Sequence, residues 1–432
     1  MNYYSLNHQS PNVNFKEAAI RGQAPDKGLY FPEYLPQVDA TLVQNIESLP
    51  EAEIVFRVIQ PYVGGTLPDE VLFRIVSETV NFPFPLVPVT ESIASLELFH
   101  GPTLAFKDVG ARFMSRCLGY FLKDEKKKVT VLVATSGDTG GAVASGFYGV
   151  EGVEVIILYP KGRVSPVQEQ QLTALGKNIT ALEVEGSFDD CQSMVKLAFM
   201  DELINAKHLL TSANSINVAR WLPQQFYYFF AYKQWSDKTN PPVVTVPSGN
   251  FGNICAGLLA KATGLPLGPF IAACNANDIV PEFLQTAHWQ PRKAVATLSN
   301  AMDVGDPSNF VRILQLFDRQ LAQLKEHLSA ESVSDAETLA TIKDVFERTG
   351  YLLDPHGAVA FHALENYQVQ HPHSKGFILE TAHPVKFPDA VKQATGTDIA
   401  IPEVVSTLMQ QPKKAVAMQP DFAAFKEYLL SR

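Results

Sequence analysis

The sequence contains little cysteine, and its cysteines are far apart. Four occur among 432 residues, Cys117, Cys191, Cys255 and Cys274, and no two of them form a CxxC pair. A scaffold stabilised by disulfides has more cysteines at closer spacing, so we expect reduced thiols. Reduced thiols are typical of the cytoplasm, and a cytoplasmic location is therefore predicted.

Basic residues are also scarce, since 35 lysines and arginines are outnumbered by 45 aspartates and glutamates, giving a formal net charge of -10. Nucleic-acid-binding proteins usually present a basic surface, so that class is disfavoured. No apolar run approaches the length of a membrane span, and residues 1–10 lack the apolar stretch of a signal peptide. Neither nucleic acid nor a membrane is an expected partner. A small anionic ligand stays compatible, because it needs only a few local cations.

What the sequence does contain is an ordinary globular composition, with 46% hydrophobic and 19% charged residues. Short β-branched runs alternate with helical patterns after a proline-rich stretch at residues 82–88, which we interpret as a linker. This alternation predicts an α/β fold with a parallel sheet covered on both faces. The predicted strands are residues 129–134, 153–159, 179–184, 243–246, 270–274 and 377–380, and the predicted helices are 165–175, 189–203 and 253–263.

The segment before the linker follows a different pattern. Residues 1–90 predict a mixed N-terminal domain, with a turn at residues 28–32 and a helix at residues 69–80. In the region after it, ligands are expected beyond the carboxyl ends of the parallel strands, so the loops that follow those strands are where function is sought.

Two such loops are rich in glycine and lead into predicted helices. One is TSGDTGG at residues 135–141 and the other is SGNFGN at residues 248–253. Glycine lets the backbone approach a ligand closely, and free N–H groups at a helix start favour an anion. Each loop alone is explained equally well as a tight turn, but two in one sheet favour an anionic ligand. Neither matches a P-loop or a GxGxxG dinucleotide motif.

Two basic residues, Lys107 and Arg220, each have a functional and a structural interpretation, and the sequence pattern does not decide between them. Lys107 follows the apolar Leu104, Ala105 and Phe106 at a predicted helix start, where burial would favour a neutral, nucleophilic amine. Most isolated lysines, however, lie at the protein surface and have no catalytic role. Arg220 follows the cluster SANSIN at residues 212–217, which suits either a phosphate site or a helix cap with an ordinary surface arginine.

Histidines give no further site. The ten of them lack the spacing of metal ligands, so no metal is predicted. His356, in the predicted helix start at residues 354–357, is interpreted as structural.

Taken together, these segments resemble threonine synthase, in the branch typical of bacteria and fungi. The resemblance covers nearly the whole chain and implies the tryptophan-synthase-β-like fold (fold type II) of pyridoxal-phosphate enzymes, with the cofactor, pyridoxal 5'-phosphate, between two α/β lobes. The implied domains are residues 1–90 and a catalytic region, 91–432, with lobes of about 91–235 and 236–432. The resemblance is carried by GLYFP at 28–32, LFHGPTLAFKD at 98–108, ATSGDTG at 134–140, SANSIN at 212–217, VPSGNFGN at 246–253, SNAMD at 299–303 and TAHP at 381–384.

The resemblance also implies residue roles. Lys107 matches the catalytic lysine that binds the cofactor as a Schiff base, and Thr381 matches the hydroxyl facing its pyridine nitrogen. Asp138 matches a cofactor contact that stays open, because other branches carry asparagine there. The residues matching the cofactor-phosphate loop are Gly249, Asn250, Phe251, Gly252 and Asn253. Those matching the substrate site are Thr135, Ser136 and Thr139 near the carboxylate, and Asn214, Ser215, Arg220 and Lys386 near the phosphate.

The implied activity is that of a carbon–oxygen lyase acting on phosphate, which converts O-phospho-L-homoserine and water into L-threonine and phosphate. The competing hypotheses are a serine or threonine dehydratase or an O-acetylserine-type replacement enzyme on the same fold, and a regulator that binds pyridoxal phosphate without turnover. The cluster ending at Arg220 and the N-terminal unit favour threonine synthase. The oligomeric state stays open between monomer and homodimer.

Overall fold

The computed structural model describes residues 1–123 and 128–432 of the chain. The strands are β1 (Asn2–Ser5), β2 (Val13–Asn14), β3 (Tyr30–Pro32), β4 (Leu86–Pro88), β5 (Ile93–Glu97), β6 (Val129–Ala134), β7 (Val153–Pro160), β8 (Ile179–Val184), β9 (Leu209–Ser212), β10 (Val243–Pro247), β11 (Phe270–Cys274), β12 (Leu328–Ser332), β13 (Gly376–Glu380) and β14 (Ala415–Met418).

The helices lie before, between and after these strands. They are α1 (Phe15–Arg21), α2 (Ala40–Asn45), α3 (Glu51–Val63), α4 (Asp69–Thr79), α5 (Lys107–Phe121), α6 (Asp138–Phe147), α7 (Pro166–Thr173), α8 (Phe188–Met200), α9 (Glu202–Lys207), α10 (Val218–Trp221), α11 (Phe226–Gln234), α12 (Gly252–Ala262), α13 (Ile279–Thr286), α14 (Phe310–Leu316), α15 (Leu321–His327), α16 (Asp335–Thr349), α17 (Pro355–Gln370), α18 (Pro388–Thr395), α19 (Glu403–Met409) and α20 (Phe422–Leu430).

Two mainly parallel sheets form the body of the molecule. One has the order β12-β11-β10-β13-β5-β4, with only β4 antiparallel to its neighbour. The other has the order β14-β8-β7-β6-β9 and is wholly parallel. Every residue of β6 is buried, as expected for a strand with helices on both faces. The predicted α/β class is confirmed.

A third, antiparallel sheet of order β2-β1-β3 belongs to the N-terminal region. It corrects one prediction, because residues 28–32 are not simply a turn. Tyr30–Pro32 form strand β3 beside β1, and burial of Tyr30 and Phe31 outweighs the turn signal of the flanking glycine and proline.

Two other predictions need correction. The linker at residues 82–88 includes strand β4 at the sheet edge, where a proline without an N–H group is tolerated. The helix predicted for residues 189–203 is divided into α8 and α9 at Asp201. The Asp201 carboxylate accepts the N–H groups of Leu203 and Ile204, at 3.0 and 3.1 Å, and so begins a new helix.

Each of the two sheets also takes strands from a distant part of the chain. Strands β4 and β5 join the sheet built otherwise from residues after 242, and β14 joins the sheet built otherwise from residues before 213. The lobe limits given above stay a prediction. Across the part of the chain that the structure describes, no helix is both long and apolar enough for a membrane span.

Candidate active site

A cavity of about 1630 Å³ lies where the strands of both sheets end. Its lining includes the last residues of β6 and β10 and the first residue after β13, which are Ala134, Pro247 and Thr381. Side chains and loops past the carboxyl ends of parallel strands are the usual ligand-binding part of such folds. The position predicted for the ligand therefore holds a cavity.

Lys107 is the first residue of α5 and lines this cavity. Burial lowers its pKa to about 8, with Asp138 opposing the shift and Lys386 and Arg220 adding to it. The preceding residue is fixed, because the Phe106 N–H donates to the Thr381 carbonyl at 2.9 Å and its own carbonyl accepts the Tyr227 hydroxyl. An amine with this pKa is partly neutral near pH 7, as nucleophilic attack on a carbonyl requires.

The loop at residues 248–253 is open to the cavity throughout and leads into α12. Phe251 stands at the helix start in the left-handed region, with φ of 60°, and supplies no side-chain cap. Asn253 Nδ2 is buried and has no hydrogen-bond partner among the described residues. A Cβ on Gly249 would lie 2.5 Å from the Met302 Cα, so only glycine fits there. Uncapped N–H groups and a spare amide donor suit an anion.

Asn250, the remaining member of this loop, is tied to the neighbouring segments. Its Nδ2 donates to Ser215 Oγ at 3.0 Å, and its Oδ1 accepts the Ser308 N–H at 2.7 Å. Gly252 follows it at the first position of α12. The loop is thus fixed in place before any ligand binds.

The loop at residues 135–141 is closed on itself. Thr135 Oγ1 accepts the N–H groups of Gly137 and Gly140, at 3.0 and 2.9 Å. Thr135 lines the cavity together with Ser136 and Thr139. These three predicted substrate residues therefore lie together in the cavity wall. The Thr135 oxygen, however, is already used in hydrogen bonds within its own loop.

Asp138, in the same loop, is not among the cavity-lining residues. It accepts Lys386 Nζ at 2.6 Å and Gln168 Nε2 at 3.0 Å, and Lys386 is fully buried. Burial raises the pKa of Asp138, but the charges of Lys386 and Lys107 outweigh it and hold the pKa below its ordinary value. Lys386, predicted to lie near the substrate phosphate, thus contacts Asp138 instead of facing the cavity. Gln168, the other partner of Asp138, was not predicted from the sequence.

Arg220 lines the cavity together with Asn214 and Ser215. It is only 4% exposed, which rules out the surface interpretation. The helix cap is Asn217, whose side chain accepts the Ala219 N–H at 2.9 Å. Burial lowers the pKa of Arg220 to about 10, so the guanidinium stays charged at neutral pH. Its Nε is buried beside Gly110 and has no hydrogen-bond partner among the described residues.

Sequence reasoning missed two residues that hold this cluster. Asn309 Nδ2 donates to Ser215 Oγ at 3.0 Å. The buried Arg312 donates to the Ser215 carbonyl at 3.2 Å and to the Tyr30 carbonyl at 3.0 Å, and thereby joins the N-terminal region to the site. Neither residue belongs to a recognisable chemical motif, and their partners are far away in sequence.

The charge of the cavity is opposite to that of the whole chain. Eight basic residues line it against three acidic ones, although the chain carries a net charge of -10. An excess of cations in a cleft attracts anionic ligands. The basic residues are Arg21, Lys27, Lys107, Arg163, Lys196, Arg220, Arg292 and Lys293, and the acidic ones are Asp189, Asp303 and Asp306.

Comparison with known proteins matches this chain to one enzyme family. Residues 88–379 match the family model for a pyridoxal-phosphate dependent enzyme, residues 2–80 the threonine synthase N terminus, and residues 357–429 the threonine synthase C-terminal region. The chain is 44% identical to a threonine synthase of Haemophilus influenzae over 100% of both chains. The crystal structure of threonine synthase from Escherichia coli, 42% identical, matches with a TM-score of 0.92 over 100% of both chains.

A structure of threonine synthase from Brucella melitensis with bound pyridoxal phosphate is 36% identical and matches with a TM-score of 0.93, over 99% of this chain and 98% of the other. The cavity of the present chain fits that cofactor. Lys107 could provide an amine for its aldehyde, the start of α12 with Asn253 Nδ2 could provide donors for its phosphate, and Thr381 could provide a hydroxyl at the end of the adjoining strand. The chain belongs to the threonine synthase family of pyridoxal-phosphate-dependent enzymes.

Proposed function

We propose that this chain converts O-phospho-L-homoserine and water into L-threonine and phosphate, the last step of threonine biosynthesis. The observation that carries the proposal is the presence, in one cavity, of a lysine with a lowered pKa, an uncapped helix start and a separate buried cation, Arg220. The two anion sites match the two phosphates involved, one on the cofactor and one on the substrate. The four free, buried cysteines support a cytoplasmic location.

Lys107 is the catalytic residue of this proposal. Pyridoxal phosphate, when bound, supplies an electron sink for negative charge at the substrate Cα. The uncharged Lys107 amine takes the proton from Cα and returns it at the end of the reaction. Asp138, beside Lys107, keeps its pKa from falling further, and Lys386 and Gln168 hold Asp138 in place. We assign Lys386 to this positioning role.

Arg220 and its neighbours form the site for the substrate phosphate. Hydrogen bonds from a charged guanidinium strengthen as negative charge grows on the departing phosphate. The hydroxyl of Ser215 and the amide of Asn214 complete this wall. Because a neutral substrate such as serine would leave the buried cation unpaired, this site also selects a phosphorylated substrate.

The opposite walls orient the rest of the substrate. Ser136 and Thr139 offer polar groups to the substrate carboxylate, on a loop whose shape Thr135 fixes. Thr381 would offer a neutral hydroxyl to the pyridine ring of bound pyridoxal phosphate. A carboxylate in its place would keep the nitrogen of that ring protonated. A neutral partner makes the ring a milder electron sink, which suits elimination and replacement chemistry.

The experiment that tests the proposal compares two reactions of the purified protein loaded with pyridoxal phosphate. We expect phosphate and threonine to form in equal amounts from O-phospho-L-homoserine. Keto-acid formation from threonine, without phosphate release from the phosphorylated substrate, would indicate a dehydratase. A protein that binds the cofactor but turns over neither compound would be a regulator.

A further inference from the structure

Three buried ionisable side chains lie behind the cavity and have no role in the proposal above. Glu380 is the last residue of β13, directly before Thr381, and Asp354 caps the start of α17. Both are fully buried. His356, in the first turn of α17, is only 2% exposed, yet it lines the cavity. Acidic residues are almost never buried this completely without a partner.

Glu380 and Asp354 each have one buried carboxyl oxygen, Oε2 and Oδ2, without a hydrogen-bond partner among the described residues. Glu380 Oε1 accepts the Asp354 backbone N–H at 2.6 Å, and the two carboxyl groups also contact each other. Burial and the adjacent Asp354 charge raise the pKa of Glu380 well above its ordinary value, and Glu97 on the neighbouring strand adds to the effect. A proton retained on Glu380 would give the unpaired Asp354 oxygen a donor. A Cβ on Gly357 would lie 1.6 Å from Glu380 Oε2, so glycine is what admits the carboxyl group.

Asp354 in turn determines which nitrogen of His356 carries a proton. Asp354 Oδ1 accepts the His356 backbone N–H at 2.6 Å and lies 2.6 Å from His356 Nδ1. On the other side of the ring, the Ala301 N–H lies 3.2 Å from Nε2. A backbone amide can only donate, so Nε2 accepts, and the proton resides on Nδ1 and is donated to Asp354. The ring is neutral with a fixed tautomer.

The hydrogen bond to Ala301 holds a short segment of the cavity wall, residues 299–303. Asn300, beside Ala301, lines the cavity, and its Oδ1 is buried without a partner among the described residues. Met302 packs against Gly249 of the loop at residues 248–253. Asp303 is bonded at 2.7 Å to Thr297 Oγ1. Before Asn300, the Ser299 carbonyl and hydroxyl oxygens accept Asn275 Nδ2 at 3.3 and 3.0 Å. The segment is therefore fixed on both sides of Asn300, and the imidazole supplies one of several attachments.

We propose that Glu380, Asp354 and His356 form a positioning relay that aims Asn300 into the cofactor cavity. The proton on Glu380 fixes Asp354, Asp354 fixes the imidazole tautomer, and Nε2 holds Ala301. Asn300 Oδ1 then accepts an N–H or O–H donor of the bound cofactor or substrate. The inference rests on the proposed function, and it treats the three relay members as positioning residues.

The matched pair E380Q and E380M tests the relay. Glutamine retains an acceptor for the Asp354 N–H and a donor for its carboxylate without needing a proton, whereas methionine is of similar size and has neither. We expect E380M to weaken pyridoxal-phosphate binding and to lower kcat, each by about tenfold, as for a lost buried hydrogen bond. KM for O-phospho-L-homoserine should be unchanged, and the absorption band of the bound cofactor should shift. E380Q should restore all three properties to within about twofold.

The outcome that overturns the proposal is equal cofactor affinity and an identical spectrum in E380M and E380Q, whatever their melting temperatures. A purely structural role would lower the melting temperature and leave the spectrum of the folded variant unchanged. The variants are measured below their melting temperatures for this reason.

A second measurement needs no variant to be active. In the wild-type protein loaded with pyridoxal phosphate and 15N-labelled at histidine, we expect the His356 signal, assigned with H356Q, to show a neutral ring protonated at Nδ1. An imidazolium or an Nε2–H tautomer would refute the relay. Failure of the wild-type protein to release phosphate from O-phospho-L-homoserine would refute the proposed function alone, since the tautomer does not depend on it.

Discussion

Residues 135–141 and residues 248–253 both leave a parallel strand and enter a helix, but their helix starts are occupied differently. In the first loop, Thr135 Oγ1 accepts two backbone N–H groups, and Asp138 places a carboxylate in the first turn of α6. In the second, Phe251 gives no side-chain cap to α12, and Asn253 keeps an unpaired donor among the described residues. Similar glycine patterns thus produce one neutralised and one open anion site.

The difference teaches that a helix start suits a phosphate better where the chain has not already given its N–H groups acceptors. Asp138 is already bonded to Lys386 and Gln168, so its loop shapes the cavity wall. The loop at residues 248–253 is left for a phosphate. Four measurements, ordered by expected effect, test this comparison.

Lys107 lines the same cavity as the two loops, and its replacement should have the largest effect. K107A removes the proposed catalytic base, so kcat should fall by about a thousandfold or more. The cofactor band that borohydride abolishes should also disappear. Peptide mapping of the reduced wild-type protein should place the pyridoxyl group on Lys107. A pyridoxyl group on another residue would contradict the assignment.

A glycine in each loop provides a matched pair. In G249A the new Cβ would lie 2.5 Å from the Met302 backbone, which cannot yield, so cofactor affinity should fall by roughly ten- to a hundredfold. In G141A the Cβ would meet the Gln171 side chain at 3.2 Å, and that side chain can shift. Fluorescence titration with pyridoxal phosphate measures both. A larger loss in G141A would break the comparison.

A variant of Arg220 should distinguish the proposed substrate-phosphate site from the proposed cofactor-phosphate loop. R220A removes a charged donor, so KM for O-phospho-L-homoserine should rise by about tenfold or more. Affinity for pyridoxal phosphate should change little. The variant R163A, which alters another cation of the cavity lining, serves as the control. An equal rise of KM in both variants would mean that Arg220 contributes only to the general positive charge of the cavity and makes no specific contact with the substrate phosphate.

Asp138 should show the smallest effect, on pH dependence. A lysine is protonated below its pKa and free above it, so cofactor capture by the apoenzyme should accelerate as pH rises through about 8, the pKa of Lys107. Asp138 raises that pKa, so in D138N the acceleration should move to lower pH, by about one unit. Stopped-flow mixing across pH measures this. A shift to higher pH would contradict the role given to Asp138.

Much of the fold could be predicted from the sequence where apolar residues dominate a segment. The runs at 129–134, 179–184 and 270–274 coincide with β6, β8 and β11, because buried parallel strands are apolar at nearly every position. β4 and β12 escaped prediction, since edge strands carry proline or polar residues and resemble loops. Pairing with distant strands, which no local window contains, decides their structure.

The site divides in the same way. Lys107, Arg220 and both glycine-rich loops could be found, because each belongs to a short motif. His356 was interpreted as structural, although it lines the cavity, because its partners Asp354 and Ala301 have no common motif. Arg312 bonds to Tyr30, 282 residues away in sequence. Such residues become visible only when the fold brings their partners together.

The use of strands from distant parts of the chain has a consequence for synthesis on the ribosome. β8 has its outer partner in β14, at residues 415–418, and helix α20 follows it. Until residues 415–418 have left the ribosome, this edge of β8 is unpaired and can bond through its N–H and C=O groups to other nascent chains. A chain that stops before residue 415 would therefore expose this strand edge to pairing with other chains.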